Sequence, residues 1–587
     1  NDYQVGVRHG LEMPVLIDER GRITEAGGPY AGLDRLEARK RIVADLEEQG
    51  FLEKVEEYDI PIIVSERSGE IIEPLLSEQW FCDQAKLAQP VIEAAKRGEF
   101  GFFPKRYDRI FLEWMENIRE WCVSRQLWWG HRIPVYYTED GRSVAALNWE
   151  DAEQKAGAKI VRQEEDVLDT WFSSGLWPFA TLGWPEETDD LKRFYPTSVL
   201  VTDRNIINLW VARMLMMGYD LMGQKPFEDI MIYATVLRED GRRMSKSLGT
   251  GVDPMEVIER IGADALRYTL LSQTGENQDL KYSERRTEDA RNFCNKIWNA
   301  TRFVLMNVEG TPSKPELDQL EPVDRWLLSR LHLTERKVRA AYDGYDIQSV
   351  CQALYQFFWS ELCDWYIEVS KPRLSGEQKE VPQWVLVTAI EAFLKMMHPV
   401  MPHLTEELYQ HLPLAGKSEF LMSSAWPQFP DELSFQEDEE RMERVFEVTR
   451  GLRALRASID LTPMKPIPVA YFEGDLAGGD SVLASQGWVQ ELRRGKPGDR
   501  AVSSTVAGID LHIPIGDLVD FDKLVGNLQR EQAKLLDERT KLSQRLENPQ
   551  FVERAKPEII DRDRALLADM DSRQGKIEER LRLFSPS

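Results

Sequence analysis

Three cations and two hydroxyls lie close together in residues 242–247, which read RRMSKS. Glycines border this segment on both sides, an apolar run from Ile230 to Leu237 precedes it, and a helical pattern from Met255 to Leu271 follows it. Ammonium, guanidinium and hydroxyl groups on a glycine-flanked loop between a strand and a helix suit the binding of a polyanion such as a triphosphate. A solvated basic turn is the alternative interpretation of so short a motif.

The loop and several other segments resemble one known family. Residues 243–247 (RMSKS) resemble the KMSKS signature of class I aminoacyl-tRNA synthetases, with Arg243 in place of the first lysine. Residues 121–131 (WCVSRQLWWGH) are similar to the pre-catalytic helix of the valyl-tRNA synthetases in that class. Four further runs resemble the amino-acid pocket and the helical tRNA-binding part of the same enzymes: 169–174 (DTWFSS), 209–214 (LWVARM), 291–299 (RNFCNKIWN) and 361–366 (ELCDWY).

The resemblance implies an enzyme that first joins an amino acid to ATP and releases pyrophosphate. Negative charge develops on the phosphates in that step, so a loop cation stabilises the transition state more than the ground state. By resemblance Lys246 is the main catalytic and ATP-binding residue, assisted by Arg243. The hydroxyls of Ser245 and Ser247 contribute as well, and Met244 is expected to anchor the loop to the core. Mg²⁺ would accompany ATP, held largely by phosphate oxygens and water.

A valine side chain needs a small apolar pocket, and Trp171, Ile206 and Trp210 match the family's pocket positions. Ile206 and Trp210 are four residues apart, so an α-helix would place both on one face. Ordinary core packing is the alternative for all three side chains. Asn205 stands where the family often has an aspartate, which leaves one charge fewer near the predicted pocket.

A pocket of this kind rejects threonine poorly, because threonine is nearly isosteric with valine, and the valyl enzymes are themselves the standard example of this limit. They hydrolyse mischarged threonine at a separate editing site. The start of the chain, Asn1-Asp2-Tyr3, resembles an editing motif in which an aspartate binds the substrate's amino group, which makes Asp2 the candidate editing residue. A plain terminal carboxylate is the alternative. The preceding strands of that site are missing from the sequence, so an incomplete editing site is expected.

Some features that the resemblance implies are missing from the sequence. None of the seven histidines forms the His-x-Gly-His motif that binds ATP phosphates in this class. The first half of the Rossmann domain is missing too, and the chain begins at Asn1 without a methionine. We therefore expect a fragment of a longer synthetase, which would not exchange pyrophosphate into ATP by itself. No Cys-x-x-Cys knuckle is present, so no structural zinc is expected.

Composition narrows the class of protein further. A length of 587 residues predicts several domains. No apolar run is long enough for a membrane span, which needs about 18 residues. Five scattered cysteines without paired spacing fit free thiols in a reducing cytoplasm. A net charge of −26 argues against a nucleic-acid binder but does not exclude one, because phosphate contacts depend on local clusters of Lys and Arg.

The patterns and the resemblance together predict an α/β Rossmann-like catalytic half with an editing-domain remnant, followed by an α-helical anticodon-binding domain and a C-terminal antiparallel coiled coil. Short strands are predicted at Pro61–Val64, Val469–Phe472 and Val506–Ile513. The predicted domains are the C-terminal part of an editing domain (1–65), the second half of a class I catalytic domain (66–275, with an insertion at 132–168 and the signature loop at 240–251), a helical tRNA-binding and anticodon-binding domain (276–445), a small α/β region (446–515) and a coiled-coil tRNA-binding arm (516–587).

Apolar residues at helical spacing distinguish core from surface in the second half of the chain. Leu354, Phe357, Phe358, Leu362 and Tyr366 recur at this spacing, and we expect them in the core rather than as platforms for nucleobases. Heptad-like stripes in the tail predict a helical hairpin, with a break near Pro549 and Pro557. The stripes are Leu524, Leu528, Leu535, Leu542 and Leu546, and then Met570, Ile577, Leu581 and Phe584.

Charge favours tRNA as the partner of this hairpin. Residues 516–587 carry 14 basic and 15 acidic side chains, a net charge of −1, whereas the rest of the chain carries −25. A dimerising coiled coil is the alternative, although we expect a monomer.

The favoured function is valine--tRNA ligation, with valine, ATP and tRNA(Val) as partners. A truncated paralogue that binds tRNA without activating an amino acid is the main alternative. The presence of Lys246, Trp171 and Trp210 argues against the paralogue, because a protein that only binds tRNA need not keep an ATP loop and a valine pocket. The missing histidine motif argues for the paralogue. An isoleucyl-tRNA or leucyl-tRNA synthetase fits less well, because the Trp-rich pocket and the C-terminal arm resemble those of the valyl-tRNA synthetases.

Overall fold

The computed structural model describes residues 2–65, 68–244, 249–275, 279–459, 461, 465–498, 501–515, 521–547 and 557–583. The chain divides into two compact units, one made of Asn1–Leu200 and Asn205–Ile230 and the other of Val201–Arg204 and Met231–Ser587. This division is coarser than the five predicted domains, whose bounds stay predictions. Among the described helices, none combines the length and the apolar character that crossing a membrane requires.

The first unit is built from short helices and strands. Its helices are α1 (Asp2–His9), α2 (Arg35–Glu48), α3 (Gln84–Arg97), α4 (Arg106–Glu116), α5 (Trp149–Ala156), α6 (Thr170–Ser174), α7 (Trp177–Ala180), α8 (Asp189–Phe194) and α9 (Ala212–Met217). Its strands are β1 (Phe81–Cys82), β2 (Gly101–Phe103), β3 (Trp121–Cys122), β4 (Ser124–Arg125), β5 (Val135–Thr138), β6 (Ser143–Ala145), β7 (Ile160–Gln163) and β8 (Val167–Leu168), followed by most of β9 (Thr197–Asp203) and β10 (Phe227–Tyr233).

A three-stranded sheet of order β2-β10-β9 forms the centre of the α/β arrangement. Helix α3 packs on α4 and α9 through a buried apolar stripe that includes Val91, Phe111 and Leu215. Local signals fix its ends: Asp83 caps the N-terminus by accepting from the amide of Ala85 at 3.2 Å, and Gly98 ends the helix with a φ of 70°. In the predicted insertion, β5 pairs antiparallel with both β6 and β7.

The second unit is mainly helical. Its helices are α10 (Pro254–Ile261), α11 (Ala263–Leu271), α12 (Glu284–Met306), α13 (Pro322–Asp343), α14 (Ile347–Tyr355), α15 (Glu368–Ser370), α16 (Glu380–Met397), α17 (Pro402–His411), α18 (Gln436–Ser458), α19 (Asp480–Gln486), α20 (Phe521–Glu547) and α21 (Pro557–Leu583), with a π-helical segment at Gln356–Ile367. Its further strands are β11 (Thr235–Leu237), β12 (Asp279–Lys281), β13 (Ile467–Glu473), β14 (Val489–Arg494), β15 (Ala501–Val506) and β16 (Ile509–Pro514).

Several aromatic side chains pack against one another in the core of the helical part. Phe358 packs on Phe393 with ring centroids 4.3 Å apart, and Trp365 stacks on Phe446 at 4.1 Å. The residues predicted to be core from their helical spacing, Leu354, Phe357, Phe358, Leu362 and Tyr366, are all buried, which confirms that prediction.

One buried acid is fully satisfied within this core. Asp324 has no exposed surface, and its two carboxylate oxygens accept from Arg373 at 2.7 Å each. The hydroxyl of Tyr366 donates to the same carboxylate at 2.6 Å. A buried charge is tolerated only with such partners, so this group fixes the start of α13 against the segment after α15.

A small α/β region follows α18. Its sheet has the order β14-β13-β16-β15, with β13 and β14 parallel and the other pairs antiparallel. Leu528 and Leu535 of α20 and Ile577 of α21 lie in the same buried cluster as sheet residues such as Ile467 and Leu511. The helix pair is therefore anchored to this sheet, whereas the stripes alone predicted a self-contained hairpin.

Two predictions about the first unit are wrong. Residues 121–131 are not a helix: β3 pairs antiparallel with β1, and β4 pairs antiparallel with β8. The run Trp-Cys-Val favours a strand, and partners distant in the chain satisfy its backbone. Pro61–Val64 is not a strand either. Only Val64 pairs there, as an isolated bridge to Ile71, and Pro61 has no amide to donate.

Two predicted elements of the second unit are each divided in two. The helix predicted over Met255–Leu271 consists of α10 and α11, separated at Gly262, whose φ is 116°. The strand predicted over Val506–Ile513 contains a turn between β15 and β16. Ala507 and Gly508 both have positive φ there, 49° and 77°. Such angles suit a tight hairpin turn and end the strand.

Candidate functional site

The base of the signature loop is a short β-hairpin. After β11 the chain turns at Asp240 and Gly241 and returns, with a bridge between Leu237 and Arg243. Gly241 has a φ of 83°, which glycine adopts without steric cost. The amide of Arg242 donates to Oδ1 of Asp240 at 3.0 Å and closes the turn.

Two polar contacts and one strand pairing fix this hairpin. β11 runs parallel to β12 and pairs with it along its whole length. The hydroxyl of Thr235 donates to Asp203 at 3.1 Å, and Arg204 forms an ion pair with Asp279 at 2.7 Å. The strand that leads into the loop is therefore held on two sides.

The predicted ATP-binding residues are only partly described. Ser245, Lys246 and Ser247 lie outside the described residues, so their roles stay predictions. Arg243 is exposed, and Met244 is half-buried just before that segment. The hairpin thus presents an exposed cation at the start of the loop and one apolar side chain next to it.

The chain leaves the loop through α10. Asp253 caps this helix by accepting from the amide of Met255 at 2.8 Å, and Pro254 is its first residue. An aspartate cap followed by proline is a typical helix start. The C-terminal end of the loop is therefore fixed as firmly as its N-terminal end.

In the first unit, Trp171 is held by a buried carboxylate. Asp169, 7% exposed, caps α6 and accepts from the amide of Trp171 at 2.7 Å. Arg125 donates to its other oxygen, and the amide of Asp169 bonds the carbonyl of Val123 at 2.7 Å. The start of α6, and with it Trp171, is thereby attached to the segment that contains β4.

The segment of Ile206 and Trp210 is not the regular α-helix that was predicted. Residues Arg204–Ile206 form a 3₁₀ turn and Ile207–Val211 a π turn. Ile206 and Trp210 are both half-buried but are not in α-helical register, and Asn205 is exposed. Such π turns are rare and often occur at functional sites. The i, i+4 argument is therefore wrong.

A hydrogen bond joins this segment to α6. The indole N–H of Trp210 donates to the carbonyl of Ser174, the last residue of α6, at 3.0 Å. Trp177 packs edge-to-face on the Trp210 ring at 6.1 Å. The structure therefore brings the helix of Trp171 and the turn of Trp210 together, as a shared pocket requires.

Sequence reasoning assigned no role to Arg213, which the structure buries next to these elements. It is 6% exposed, and its guanidinium lies 4.0 Å from the Trp121 ring centroid and 5.4 Å from that of Trp114. Its Nε and Nη1 have no hydrogen-bond partner among the described residues. Burial lowers the pKa of Arg213 to about 10. A lone arginine within the apolar run ARMLMM was the signal available in the sequence.

The structure gives little further information on the other predicted sites. Asp2 is the first residue of α1, but its side chain lies outside what the structure describes. All five cysteines are free thiols. Across the described residues, no group of three or more His, Cys, Asp or Glu side chains could hold a metal ion.

The tail helices pack antiparallel to each other. Arg539 of α20 forms an ion pair with Asp571 of α21, and Arg545 lies 3.3 Å from Asp563. Later residues of α20 thus contact earlier residues of α21, as in an antiparallel pair. Two lysines of α20 are exposed, with 79% of the Lys534 side chain and 72% of the Lys541 side chain accessible. Each forms an ion pair within the helix, Lys534 with Glu538 at 3.9 Å and Lys541 with Asp537 at 2.7 Å.

Three family models match the chain in succession. The model of class I tRNA synthetases (I, L, M and V) matches residues 38–283, and the anticodon-binding domain of tRNA ligase matches residues 324–471. The valyl tRNA synthetase tRNA binding arm matches residues 520–584.

Relatives match nearly all of the chain. A valine--tRNA ligase of Thermotoga maritima is 45% identical over 588 residues, which covers 99% of this chain and 67% of the relative. The valine--tRNA ligase of Carboxydothermus hydrogenoformans is 42% identical over 598 residues, which covers 100% of this chain and 68% of the relative. A solved methionyl-tRNA synthetase of Mycobacterium tuberculosis, in complex with methionyl-adenylate, aligns with a TM-score of 0.48 and 16% identity over 59% of this chain and 65% of that one.

Proposed function

Since this chain belongs to the valine--tRNA ligases, a family of class I aminoacyl-tRNA synthetases, we propose that the enzyme expressed from its complete natural gene activates valine with ATP and transfers the valyl group to tRNA(Val). The near-complete match to valine--tRNA ligases carries this proposal. The catalytic fold of the class and the helical anticodon-binding domain are both present in the chain.

The signature loop supplies the charge for adenylate formation. Its hairpin base is fixed by β12 and its exit by the cap of α10, so the cations between them can be held close to the phosphates. We assign the main catalytic role to Lys246, with Arg243, Ser245 and Ser247 assisting it, and Met244 anchoring the loop. Charge stabilisation of this kind acts in the transition state. Mg²⁺ would bind with ATP through phosphate oxygens.

The valine side chain is assigned to the pocket formed by Trp171, Ile206 and Trp210, with Asn205 at its edge. The hydrogen bond between Trp210 and Ser174 and the buried cap at Asp169 support a rigid pocket. Rigid apolar walls reject larger side chains well but distinguish valine from threonine poorly. Removal of mischarged threonine therefore belongs to the proposal, with Asp2 as the residue for the substrate's amino group.

The helix pair α20–α21 is assigned to tRNA as a coiled-coil arm. Exposed lysines on an otherwise acidic protein support this assignment. Five free cysteines support residence in a reducing cytoplasm. We also propose that the enzyme acts as a monomer, without a structural zinc.

The test uses the enzyme expressed from its complete natural gene. We expect valine-dependent exchange of pyrophosphate into ATP and charging of tRNA(Val). Binding of tRNA without any exchange would favour the non-catalytic paralogue instead. Exchange that prefers isoleucine or leucine to valine would contradict the assigned pocket.

A further inference from the structure

One turn of α11 caps α17 and binds the connection that precedes it. Asp264 and Arg267 are three residues apart and therefore lie on the same face of this helix. The carboxylate of Asp264 accepts from the amide of Leu404 at 2.5 Å and from the amide of His403 at 3.4 Å, in the first turn of α17. The guanidinium of Arg267 donates to the carbonyls of Pro399 at 2.8 Å and Val400 at 3.0 Å, just after α16.

The charge of Asp264 matches the helix end that it meets. A helix N-terminus has unpaired amides and a partial positive charge, whereas a C-terminus has unpaired carbonyls and a partial negative charge. The acid meets the N-terminus of α17, which has no side-chain cap of its own. The base binds the carbonyls of the short connection between α16, which ends at Met397, and α17. Asp264 is only 7% exposed, so solvent screens this contact weakly. We call Asp264 and Arg267 the α11 clamp.

The α11 clamp lies a short way along the chain from the signature loop. The loop leads into α10, which ends at Ile261, and α11 begins at Ala263, just after Gly262. Helix α10 packs on α11, and α11 packs on α17. A displacement of the junction between α16 and α17 therefore reaches the exit of the loop through two short helices.

We propose that Asp264 and Arg267 are positioning residues of the synthetase reaction, which hold the signature loop in register with the helical domain. This inference rests on the proposed role of the loop in adenylate formation. Neither side chain is assigned contact with a substrate. Their effect on the reaction comes from fixing α11, and with it the C-terminal end of the loop.

The test measures valine-dependent pyrophosphate exchange in the enzyme expressed from its complete natural gene. The number of active sites is measured as the amount of valyl-adenylate that accumulates without tRNA. The exchange rate is divided by this number, so that unfolded molecules do not affect it. Asp264→Ala and Arg267→Gln should lower kcat per site about 10-fold. This effect is smaller than the roughly 100-fold loss that follows when a reacting group is misplaced by 1 Å. The KM for valine should stay within about twofold of the parent value. Arg267→Lys, which keeps the positive charge, should fall between Arg267→Gln and the parent.

The matched control is Asp346→Ala. Asp346 caps α14 by accepting from the amide of Ser349 at 3.1 Å, so this variant also loses a helix cap, but one outside the α11 clamp. Its kcat per site should stay at the parent value. Equal kcat values for Asp346→Ala, Asp264→Ala and Arg267→Gln would overturn the inference, as would a raised KM for valine at unchanged kcat.

A second comparison separates this inference from the proposed function. If Lys246→Ala lowers the exchange rate and the variants of the α11 clamp do not, the inference is wrong and the role of the loop stands. If Lys246→Ala leaves the rate unchanged, the proposed role of the loop is wrong, and the inference that depends on it fails with it.

Discussion

The indole N–H of Trp210 donates to the main-chain carbonyl of Ser174 at 3.0 Å, across a separation of 36 residues in the chain. This bond joins a π turn to the end of α6 and sets the distance between Trp210 and Trp171. The rigidity of the proposed pocket therefore depends in part on one polar atom of an otherwise apolar side chain.

Replacing Trp210 by phenylalanine should weaken recognition of valine. A smaller aromatic ring remains, but the Ser174 carbonyl loses its partner, which costs about 1–3 kcal/mol. We expect kcat/KM for valine to fall by roughly 10-fold, since 1.4 kcal/mol corresponds to a factor of ten, with the KM for ATP unchanged. Steady-state pyrophosphate exchange measures both. Trp149→Phe, at an exposed tryptophan that packs on Tyr136, is the control and should behave as the parent. Equal effects of the two changes would count against the pocket.

Removing the ammonium group of Lys246 should slow activation without weakening valine binding. Loss of one charge-stabilising donor costs about 10²–10³ in kcat. Lys246→Ala is compared with Lys86→Ala, at a lysine of α3 whose side chain is 88% exposed. The control should stay near the parent rate. A raised KM for valine with kcat intact would show that Lys246 does not act in the transition state.

Neutralising two exposed cations of the arm should flatten the salt dependence of tRNA binding. Because the helix pair shares a buried cluster with the sheet, point changes test the arm better than its deletion. For Lys534→Gln with Lys541→Gln, the slope of log K against log salt should fall by roughly 0.7–0.9 per lost phosphate contact. Adenylate formation should not change. Titrations at several salt concentrations measure the slope.

The control for the arm changes two exposed lysines elsewhere, Lys86→Gln with Lys192→Gln, whose side chains are 88% and 60% accessible. Its slope should equal that of the parent. If the arm variant also keeps the parent slope, these two lysines do not contact tRNA. Sedimentation would then test the dimerising alternative.

Buried thiols should make the helical part less stable at alkaline pH. Burial raises the pKa of Cys294, Cys351 and Cys363 from 9.0 to about 12. A group with a raised folded-state pKa stabilises the fold below its unfolded pKa, and this contribution is lost as pH rises towards the folded value. The free energy of unfolding should therefore fall between pH 9 and pH 12, by up to about 1.4 kcal/mol per pH unit for each thiol.

Denaturant titrations across that pH range provide the test. Cys351→Ala should make the free energy of unfolding less dependent on pH, by the contribution of one thiol. Val350→Ala, at the neighbouring buried position, also removes buried volume but no titrating group, so it should lower stability and keep the slope. Identical slopes in the two variants would contradict the assignment.

The sequence alone determined the features that depend on local spacing and on chemical type. The glycine-flanked run of cations, the cap Asp253-Pro254, and the apolar spacing of Leu354 to Tyr366 all depend on residues close together in the chain. Local hydrogen bonds and one-sided apolar stripes follow directly from such spacing. The family could also be identified, because long tryptophan-rich runs rarely occur by chance.

Only the tertiary structure decided which distant groups meet. Asp264 caps a helix that begins about 140 residues later, as its bond to Leu404 shows. Trp121 joins a strand instead of a helix because Cys82 provides its partner. The turns around Ile206 and Trp210 depart from α-helical geometry, and the Trp210 bond to Ser174 crosses to another element. These arrangements depend on the backbone and side-chain partners that folding brings together, and local propensity does not specify those partners.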